Sequence, residues 1–372
     1  MKKILFVASV TRHIKTFHLP YLKYFKDRGY EVHVASNGDE KIEYCDKHFN
    51  LCFERSPFKL NNLKAYKQLK KIINEGEYEI VHCHTPVASI LTRKAARKMR
   101  RRIGTKVIYT AHGFHFFKGA PLKNWLVYYP IEKHYAKDTD ILITINEEDY
   151  EFAKKKLKAK RIEHVHGIGV NPKKFTFDIS EKERDERRAN LTVNPLDFLI
   201  IYVAELNNNK NQMMLIEAMK ELVKDYPNIK LLLAGDGVNK EKIEKYLVEN
   251  KLQSNVLLLG YRTDVPMLLK LSDLYVATSK REGLPVNIIE AMITELPVVA
   301  TDSRGQRELV SDGENGYIVK IGDTKGLVEK IKNIYLDYRI RDRITEGAKG
   351  KVDPYLIENV MKEMKEIYKS AK

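Results

Sequence analysis

The chain has 372 residues, of which 43% are hydrophobic and 31% are charged. This composition is typical of a globular protein, and the length predicts two domains, because a single core rarely serves so long a chain. No apolar run reaches the roughly 18–20 residues of a membrane-spanning helix, so no span is expected. The formal net charge of +16 predicts an anionic partner (nucleotide diphosphate, lipid phosphate or nucleic acid) unless it serves only colloidal stability.

The amino terminus, MKKILFVASV, superficially resembles a signal peptide, with a basic start and an apolar run. The run is short, is rich in β-formers and meets polar residues 11–13 without a small-residue cleavage site, so we interpret it as a first buried strand. Cys45, Cys52 and Cys83 are odd in number and include no CxxC pair. This argues against a disulfide scaffold or a zinc site and predicts a cytoplasmic protein.

Short apolar runs alternate with helical patterns along both halves of the chain. Such runs suit strands buried on both faces of a parallel sheet, so the pattern predicts βαβ architecture twice over. Strands are predicted at residues 4–8, 31–35, 80–83, 107–110 and 141–145, and then at 199–203, 229–234, 256–259, 274–277 and 298–300.

The domain boundaries follow from the breaks in this pattern. The charge-rich segment 180–190 predicts a solvated helix or a linker, and residues 354–372 predict a terminal helix able to pack across a domain boundary. We therefore predict α/β Rossmann-like doubly wound domains at 1–175 and 190–350, followed by a helix at 351–372 that returns toward the first domain. Ligands bind at the carboxyl ends of strands in such sheets, so a site in a cleft between the domains is expected.

The strongest chemical motif is a pair of glutamates, Glu282 and Glu290, around the start of a helix predicted at 285–293. A carboxylate can accept two hydroxyl protons at once, so the pair suits vicinal diols on a sugar ring and on a ribose. The loop also offers backbone N–H groups at a helix N-terminus, which favour phosphate. A capped helix with two solvated glutamates is the alternative from spacing alone.

The string EGLPVNIIEA at 282–291 resembles the E-x7-E signature of glycosyltransferase family 4, retaining enzymes of GT-B fold. The resemblance extends over nearly the whole chain, and TAHGFHFFKGAP is similar to members that make exopolysaccharides and capsular polysaccharides. Further matching segments are the turn at 234–237, the loop at 260–262, the segments 303–308 and 313–316, and the strand ends at 82–85 and 110–113.

The resemblance implies a role for each matching residue. Glu290 would hold the donor ribose, Glu282 the hydroxyls of the donor hexose and Lys210 the diphosphate, while His112 would line the reaction centre. The other donor-site candidates are Gly283, Leu284, Arg281, Gly260, Tyr261, Arg262, Gly235 and Glu205.

The implied reaction moves a hexose or N-acetylhexosamine from a nucleotide-sugar, foremost a UDP-sugar, with retention at the anomeric carbon. The acceptor would be a sugar or a polyprenyl-diphosphate-linked glycan in cell-surface or exopolysaccharide synthesis. The nucleotide-sugar is a co-substrate, and no cofactor or metal is expected.

Two departures from the family pattern affect the site. Glu205 stands where relatives usually carry an arginine, and two like charges about 4 Å apart repel by roughly 4 kcal/mol at an effective dielectric near 20. We expect Arg281 or Lys280 to supply the missing charge, unless Glu205 turns toward the acceptor or pairs with a base. The second departure is in the first loop, residues 10–14, which is bulky and polar where many relatives have Gly-Gly.

The bulky polar residues of that first loop are expected to contact the acceptor. We expect Arg12 to contact an acceptor phosphate, although an ordinary solvated arginine is an open alternative. The acceptor-site candidates are Arg12, His13, His84 and His115.

Two other signals are interpreted with caution. Asp138-Thr139-Asp140 has the D-x-D spacing of metal-dependent transferases, but it precedes a strand, and Asp273 repeats that placement, so metal binding is discounted. The basic run at 93–102 lacks interleaved stacking groups, which argues against nucleic acid. With the lysines of 64–71 it predicts docking to an anionic membrane surface at the inner face of the cell membrane, with a solvated face as the alternative.

Two rival functions stay open at this stage. A UDP-sugar 2-epimerase also uses paired Rossmann-like domains and would convert the donor without an acceptor. A non-catalytic sugar- or lipid-binding module would tolerate loss of Glu282 and Lys210.

Overall fold

The computed structural model describes residues 2–54, 56–57 and 59–371. The chain divides into two compact units: unit 1 comprises Met1–Gly169 with Glu358–Lys372, and unit 2 comprises Val170–Ile357. Each unit is built on one parallel sheet with helices between the strands, which confirms the predicted α/β class. Within the described part of the chain, no helix is both long and apolar enough to cross a membrane.

Unit 1 has a seven-stranded sheet in the order β3-β2-β1-β4-β5-β6-β7. The five strands predicted from apolar runs are present, and the core of β1, for example, is fully buried. The two strands at the edges escaped prediction because they are only half-buried and rich in charged or histidine side chains. The strands are β1 (Lys3–Val10), β2 (Glu31–Asn37), β3 (Lys47–Asn50), β4 (Ile80–His84), β5 (Lys106–Ala111), β6 (Ile141–Thr144) and β7 (Arg161–His164).

The prediction of a loop at residues 10–14 is wrong, because a helix begins directly after β1. Thr11 is buried there, and its hydroxyl lies 2.8 Å from that of Ser36 and donates to the carbonyl of Asn37 at 3.1 Å. These bonds fix the chain at the end of the strand without a glycine turn. The helices of this part are α1 (Thr11–Phe17), α2 (Leu19–Lys26), α3 (Asn61–Gly76), α4 (Pro86–Arg102), α5 (Leu122–Ala136) and α6 (Glu147–Lys156).

Unit 2 has a six-stranded sheet in the order β10-β9-β8-β11-β12-β13. Its strands are β8 (Phe198–Val203), β9 (Ile229–Ala234), β10 (Val256–Gly260), β11 (Leu274–Ala277), β12 (Val298–Thr301) and β13 (Tyr317–Val319). Its α-helices are α7 (Glu181–Asn190), α8 (Gln212–Asp225), α9 (Lys240–Glu249), α10 (Val265–Leu271), α11 (Val286–Ile293), α12 (Arg304–Leu309), α13 (Thr324–Leu336) and α14 (Tyr338–Ala348).

The charge-rich segment forms α7, but it is not solvated throughout. Arg188 is 1% exposed and donates to the carbonyl of Leu271 at 2.6 Å, to that of Asp197 at 2.9 Å and to the Asp273 carboxylate at 2.8 Å. A buried guanidinium is stable only when its donors are satisfied, and these acceptors supply that. Arg184, on the same helix, also donates to Asp273 at 2.8 Å, so two arginines attach α7 to the start of β11.

The aspartates that precede β6 and β11 share one structural device. Asp140 accepts the backbone N–H of Val107 at 2.9 Å and is held by Arg100, while Asp273 accepts the N–H of Leu199 at 2.8 Å. Burial opposes ionisation of Asp140, but the hydrogen bonds from Arg100 and its other donors lower its pKa to about 2. These two carboxylates tie neighbouring strands together. Asp138, the first aspartate of the D-x-D, instead pairs with Arg97 at 2.6 Å, so both of its aspartates have structural partners.

The terminal helix α15 (Ile357–Ser370) joins unit 1 from Glu358 onward. Its buried side chains include Val360, Met364 and Tyr368, which lie in the same core cluster as β1 and α2. The Tyr368 hydroxyl lies 2.8 Å from Nδ1 of His82, on β4. The end of the chain thus completes one face of the first sheet.

Candidate active site

A lysine and a glutamate from two adjacent strand ends form an ion pair in unit 2. β8 and β11 are neighbours in the sheet, so the loops that follow them leave the same edge. Lys210 Nζ lies 2.6 Å from Glu282 Oε1, and the two side chains are 22% and 13% exposed. The structure therefore brings together two site residues that were predicted from different segments.

Buried hydroxyls hold the backbone at Lys210. The Tyr202 hydroxyl donates to the Lys210 carbonyl at 3.0 Å and lies 2.7 Å from the Ser279 hydroxyl. Thr278 donates to the carbonyl of Asn211 at 2.9 Å. Sequence reasoning missed these three hydroxyl residues because each reads as an ordinary strand or strand-end residue.

Glu290 lies on α11, two turns beyond Glu282, and keeps some exposed surface. Burial raises the pKa of its carboxyl from 4.5 to about 7, and the positive charge of Lys174 acts in the opposite direction. A carboxyl with such a pKa changes charge near neutral pH, whereas an ordinary surface glutamate is fully ionised there. Lys174 did not figure in the sequence prediction, since it lies in a separate short helical turn.

A further cation lies against the loop that carries Glu282. Segment 303–308, one of the segments that resemble the family, forms most of α12, which begins at Arg304. The Arg304 guanidinium is 7% exposed and donates to the Glu282 carbonyl at 3.2 Å. A Cβ on Gly305 would come 2.4 Å from the Gly283 carbonyl oxygen, so only glycine permits this approach.

Glycines bring the loops after β8 and β9 together at the same edge. A Cβ on Gly235 would lie 1.9 Å from the Ala204 carbonyl oxygen, and one on Gly237 would lie 2.4 Å from that of Leu206. The N–H of Gly235 also donates to the carbonyl of Gly260 at 2.8 Å. Gly235 and Gly260, both predicted as donor-site residues, are therefore neighbours.

Glu205 is exposed, and its carbonyl accepts a hydrogen bond from the Gln212 side chain at 2.9 Å. The loop that follows is bonded to the loop after β11. Asn209 donates through its side chain to the Arg281 carbonyl at 3.0 Å and accepts the Lys280 N–H at 2.8 Å. The backbones of both candidate compensating cations thus adjoin the segment that leads to the predicted diphosphate lysine.

The remaining donor-site candidates differ in exposure. Leu284 is 8% exposed, so it contributes mainly to packing at the start of α11, whereas Tyr261 is 62% exposed. The Arg262 guanidinium donates to Asp264 at 2.7 Å, which leaves it already engaged with a carboxylate.

In unit 1 four histidines meet at the carboxyl edge of three adjacent strands, β1, β4 and β5. They are His13 on α1, His18 between α1 and α2, His84 at the end of β4 and His112 just after β5, and we call them the histidine cluster. Burial lowers the pKa of His13 to about 4. Burial and the neighbouring histidines hold the pKa of His18 and His84 well below 6.5, so these rings are neutral at pH 7.

A cavity of ≈ 330 Å³ opens beside the histidine cluster in unit 1. His13 and His115 line it together with aromatic side chains, and the His115 ring centroid lies 4.7 Å from that of Tyr128. Arg12 is exposed on the same helix as His13 and does not line the cavity. Two of the four predicted acceptor residues therefore share a cavity wall, and His84 lies in the cluster beside it.

Helix α4 carries the basic run, and three of its five arginines form ion pairs with acidic residues that follow it in the chain. Arg93 donates to Glu132 at 2.9 Å while 1% exposed, Arg97 pairs with Asp138 at 2.6 Å and Arg100 pairs with Asp140 at 2.8 Å. These three arginines are therefore not available to an anionic surface, because a helix places every third or fourth residue on the same face. Exposed cations that line a groove between α3 and α4 are Lys70, Lys94, Lys98, Arg101 and Arg102.

Comparison with known proteins agrees with this architecture. Residues 183–351 match the family model described as Glycosyl transferases group 1, and residues 3–146 match Glycosyl transferase 4-like. The chain is 46% identical over 368 residues to EpsD of Bacillus subtilis (strain 168), which is named as a glycosyltransferase, and this match covers 99% of the chain and 96% of that protein. It is 29% identical over 314 residues to the UDP-Gal:alpha-D-GlcNAc-diphosphoundecaprenol alpha-1,3-galactosyltransferase of Escherichia coli, covering 83% and 80%.

Among solved structures, HepE of Anabaena in complex with UDP and glucose has a TM-score of 0.82 at 20% identity, with 100% of each chain covered. At that identity the likeness concerns the fold alone. The chain therefore belongs to the glycosyltransferases of GT-B fold, with a Glycosyl transferase 4-like first half and a Glycosyl transferases group 1 second half.

Proposed function

We propose that this glycosyltransferase moves a hexose or N-acetylhexosamine from a UDP-sugar to a polyprenyl-diphosphate-linked acceptor in exopolysaccharide or capsule synthesis. The assignment of a sugar-nucleotide donor rests on the Lys210–Glu282 pair, which lies on the same sheet edge as Glu290. The acceptor half is supported by the Escherichia coli relative, whose name specifies UDP-Gal and a diphosphoundecaprenol-linked substrate.

The donor roles follow from charge and hydrogen-bonding capacity. Glu290 accepts the ribose hydroxyls and Glu282 accepts hydroxyls of the donor hexose, because each carboxylate has two oxygens to offer. Lys210 stabilises the diphosphate, on which negative charge builds as the sugar departs. In this scheme the pair with Glu282 holds the ammonium near the leaving group before the reaction starts.

The same proposal includes a replacement for the positive charge that is missing at Glu205. Arg281 or Lys280 supplies the charge that relatives draw from an arginine, since the backbones of these residues are bonded to Asn209, next to Lys210. Donor affinity of Arg281→Ala and Lys280→Ala tests this. Weaker donor binding in at least one variant is expected. Unchanged donor binding in both variants would exclude Arg281 and Lys280 as the source of the charge.

The acceptor roles belong to unit 1. His13 and His115 face the acceptor in the ≈ 330 Å³ cavity, His84 lies beside it and Arg12 contacts an acceptor phosphate from the surface of α1. His112 lines the reaction centre. Transfer proceeds with retention by same-face displacement, in which a diphosphate oxygen takes the acceptor's proton, and the nucleotide-sugar is the only co-substrate.

Membrane attraction through the groove between α3 and α4 would keep the enzyme near a lipid-linked acceptor. The test is sedimentation with liposomes that contain anionic lipid. Lys70→Glu/Lys98→Glu/Arg101→Glu should lose most of the binding, because each cation near an anionic surface contributes about 1 kcal/mol.

A matched control reverses the charge of three exposed lysines in unit 2. Lys240→Glu/Lys242→Glu/Lys251→Glu changes the net charge equally, and it should still sediment with the liposomes. Equal loss in both triple variants would mean that only net charge matters, and the proposed docking face would be wrong.

Donor identity is tested by thermal unfolding with UDP-, GDP- and ADP-sugars. A ligand at about 100 times its dissociation constant stabilises the folded state by about 2.7 kcal/mol, so the right nucleotide should stand out. Stabilisation by UDP-sugars alone is expected. A larger shift with GDP- or ADP-sugars would overturn the choice of base while leaving the transferase assignment intact.

A further inference from the structure

The histidine cluster has the composition of a transition-metal site. Each of His13, His18, His84 and His112 offers one ring nitrogen, and these four nitrogens all lie within 4.8 Å of one another. His84 and His112 lie at the ends of the neighbouring strands β4 and β5, and His13 and His18 lie on and just after α1, which follows β1 directly.

Several ring nitrogens in the cluster have no hydrogen-bond partner among the described residues. The buried nitrogens without a partner are Nε2 of His13, both nitrogens of His18 and Nε2 of His84. His82 shows the contrast, since its Nδ1 lies 2.8 Å from the Tyr368 hydroxyl and its Nε2 lies 2.8 Å from that of Thr110. Buried polar atoms are normally satisfied, so the orphaned Nε2 of His13, with further unsatisfied nitrogens around it, indicates a ligand.

The ring geometry favours three of the four as ligands. His112 Nε2 lies 3.4 Å from Nδ1 of His84, the other nitrogen of that ring from the orphaned Nε2, and this distance is long for a hydrogen bond. It equals the separation of about 3.4 Å between two nitrogens that each lie about 2.1 Å from one tetrahedral ion. The His13 ring is inclined by 88° to that of His112 and by 48° to that of His84, so the three ring planes can meet at a common point.

His18 is placed differently from the other three. It stacks on His84 with centroids 3.8 Å apart and an angle of 28° between the rings. A metal lies in the plane of each ligating imidazole, so two stacked rings cannot both bind one ion unless one of them turns. His18 therefore borders the site as it stands.

We propose that His13, His84 and His112 bind one divalent transition-metal ion of the Zn²⁺ class, with a fourth position for an oxygen ligand. Imidazole suits Zn²⁺, Co²⁺, Ni²⁺ and Cu²⁺, whereas Mg²⁺, Mn²⁺ and Ca²⁺ prefer oxygen. Because the three ligands are uncharged, an anionic oxygen such as phosphate or hydroxide is the favoured fourth ligand. This inference departs from the expectation of no metal and does not rest on the proposed function. It assigns to an ion the ring nitrogens of His13, His84 and His112, which the proposed function places at the acceptor and the reaction centre.

The test is direct metal binding to the full-length, tag-free protein. After treatment with a chelator, the protein is incubated with Zn²⁺ in excess Mg²⁺, freed of unbound ion by gel filtration and assayed by elemental mass spectrometry. Wild type should retain about one Zn²⁺ per chain. His13→Gln/His84→Gln should lose it, while the control His48→Gln/His134→Gln, which removes two histidines outside the cluster, should keep it.

A spectrum of the Co²⁺-loaded wild type makes the test independent of variant folding. Intense ligand-field bands of low-coordinate Co²⁺ are expected, whereas the weak bands of the hydrated octahedral ion would contradict the site. Wild type that retains no Zn²⁺, or a folded double variant that retains as much as wild type, would overturn the proposal. Loss of Zn²⁺ from the control variant alone would overturn it too, because the ion would then bind elsewhere.

Discussion

The ammonium nitrogen of Lys210 lies 2.6 Å from a carboxylate oxygen of Glu282, and this contact joins the loops that follow β8 and β11. The side chains are mostly buried, so neither charge is fully hydrated once the other is removed. The pair therefore serves the structure of the sheet edge and, in the proposed function, positions the cation that faces the diphosphate.

Lys210→Ala should reduce sugar transfer at saturating donor on the order of 10²–10³-fold, because the variant cannot stabilise charge that develops on the leaving diphosphate. It should also reduce the free energy of unfolding by roughly 1–3 kcal/mol, since Glu282 loses a partner. Steady-state kinetics and urea denaturation measure the two effects.

The double variant Lys210→Ala/Glu282→Ala separates the structural effect of the pair from its chemical effect. Because no half-buried charge is left unpaired, it should recover part of the lost stability while transfer stays abolished. Recovery of transfer in the double variant would show that Lys210 acts only by neutralising Glu282.

Donor affinity should increase as pH rises from about 6 to 8, because Glu290 accepts ribose hydroxyls best when ionised and its pKa is raised to about 7. Calorimetric titration of UDP across this range measures the effect. Glu290→Gln should bind UDP more weakly and with a flatter pH dependence. An unchanged slope in that variant would exclude Glu290 as the titrating group.

The same carboxyl should make the fold less stable with rising pH. Its pKa in the folded state is above 4.5, so between about pH 5 and pH 7 the folded protein holds a proton that the unfolded chain releases. The free energy of unfolding should therefore fall through this window by roughly 1–3 kcal/mol more in wild type than in Glu290→Gln. Urea denaturation at several pH values gives the comparison.

Gly235→Ala should destabilise unit 2 strongly, since its Cβ would overlap the Ala204 carbonyl oxygen, which is backbone and cannot move aside cheaply. We expect a loss of roughly 2–4 kcal/mol from overlap and backbone strain together. Gly322→Ala is the control, because Gly322 also has positive φ but open space around it. That variant should lose only about 1–2 kcal/mol, and equal losses would argue against the close approach of the two loops.

Arg188→Ala should reduce the free energy of unfolding by roughly 3–5 kcal/mol, because it removes a buried guanidinium and leaves Asp273 and several carbonyls with fewer donors. The adjacent Arg187 forms an exposed pair with Glu183, and Arg187→Ala should cost about 0.3–0.5 kcal/mol. Chemical denaturation of both variants checks the contrast. Similar small losses would mean that α7 is a linker after all.

Ten of the thirteen strands in the described part of the chain could be predicted from the sequence, because strands buried on both faces give continuous apolar runs. All three missed strands lie at sheet edges. The half-buried β3 and β7 carry charged and histidine side chains that blur the pattern, whereas β13 has only 3 residues. The helix at Thr11 was missed for a different reason. Its start is fixed by hydrogen bonds to Ser36 and Asn37 on the neighbouring strand, and such partners are not visible in local sequence.

In the candidate site, too, some residues could be predicted from the sequence and others could not. Glu282, Glu290 and Lys210 could be selected because motif and spacing identify them one at a time. The contribution of Arg304 to the Glu282 loop and the grouping of His18 with the other three histidines depend on which loops meet in space. The inner face of α4 could be predicted only in part. Helical periodicity could have indicated that Arg93 points inward, but not that it would pair with Glu132.

The most direct test is transfer of radiolabelled sugar from a UDP-sugar panel to a short-chain polyprenyl-diphosphate-linked glycan, followed by extraction of the lipid product. Wild type should yield a labelled glycolipid with the anomeric configuration of the donor, and Glu282→Gln and Lys210→Ala should yield almost none. A labelled product of equal yield from wild type and from both variants would contradict the assignment of these two side chains to the donor site.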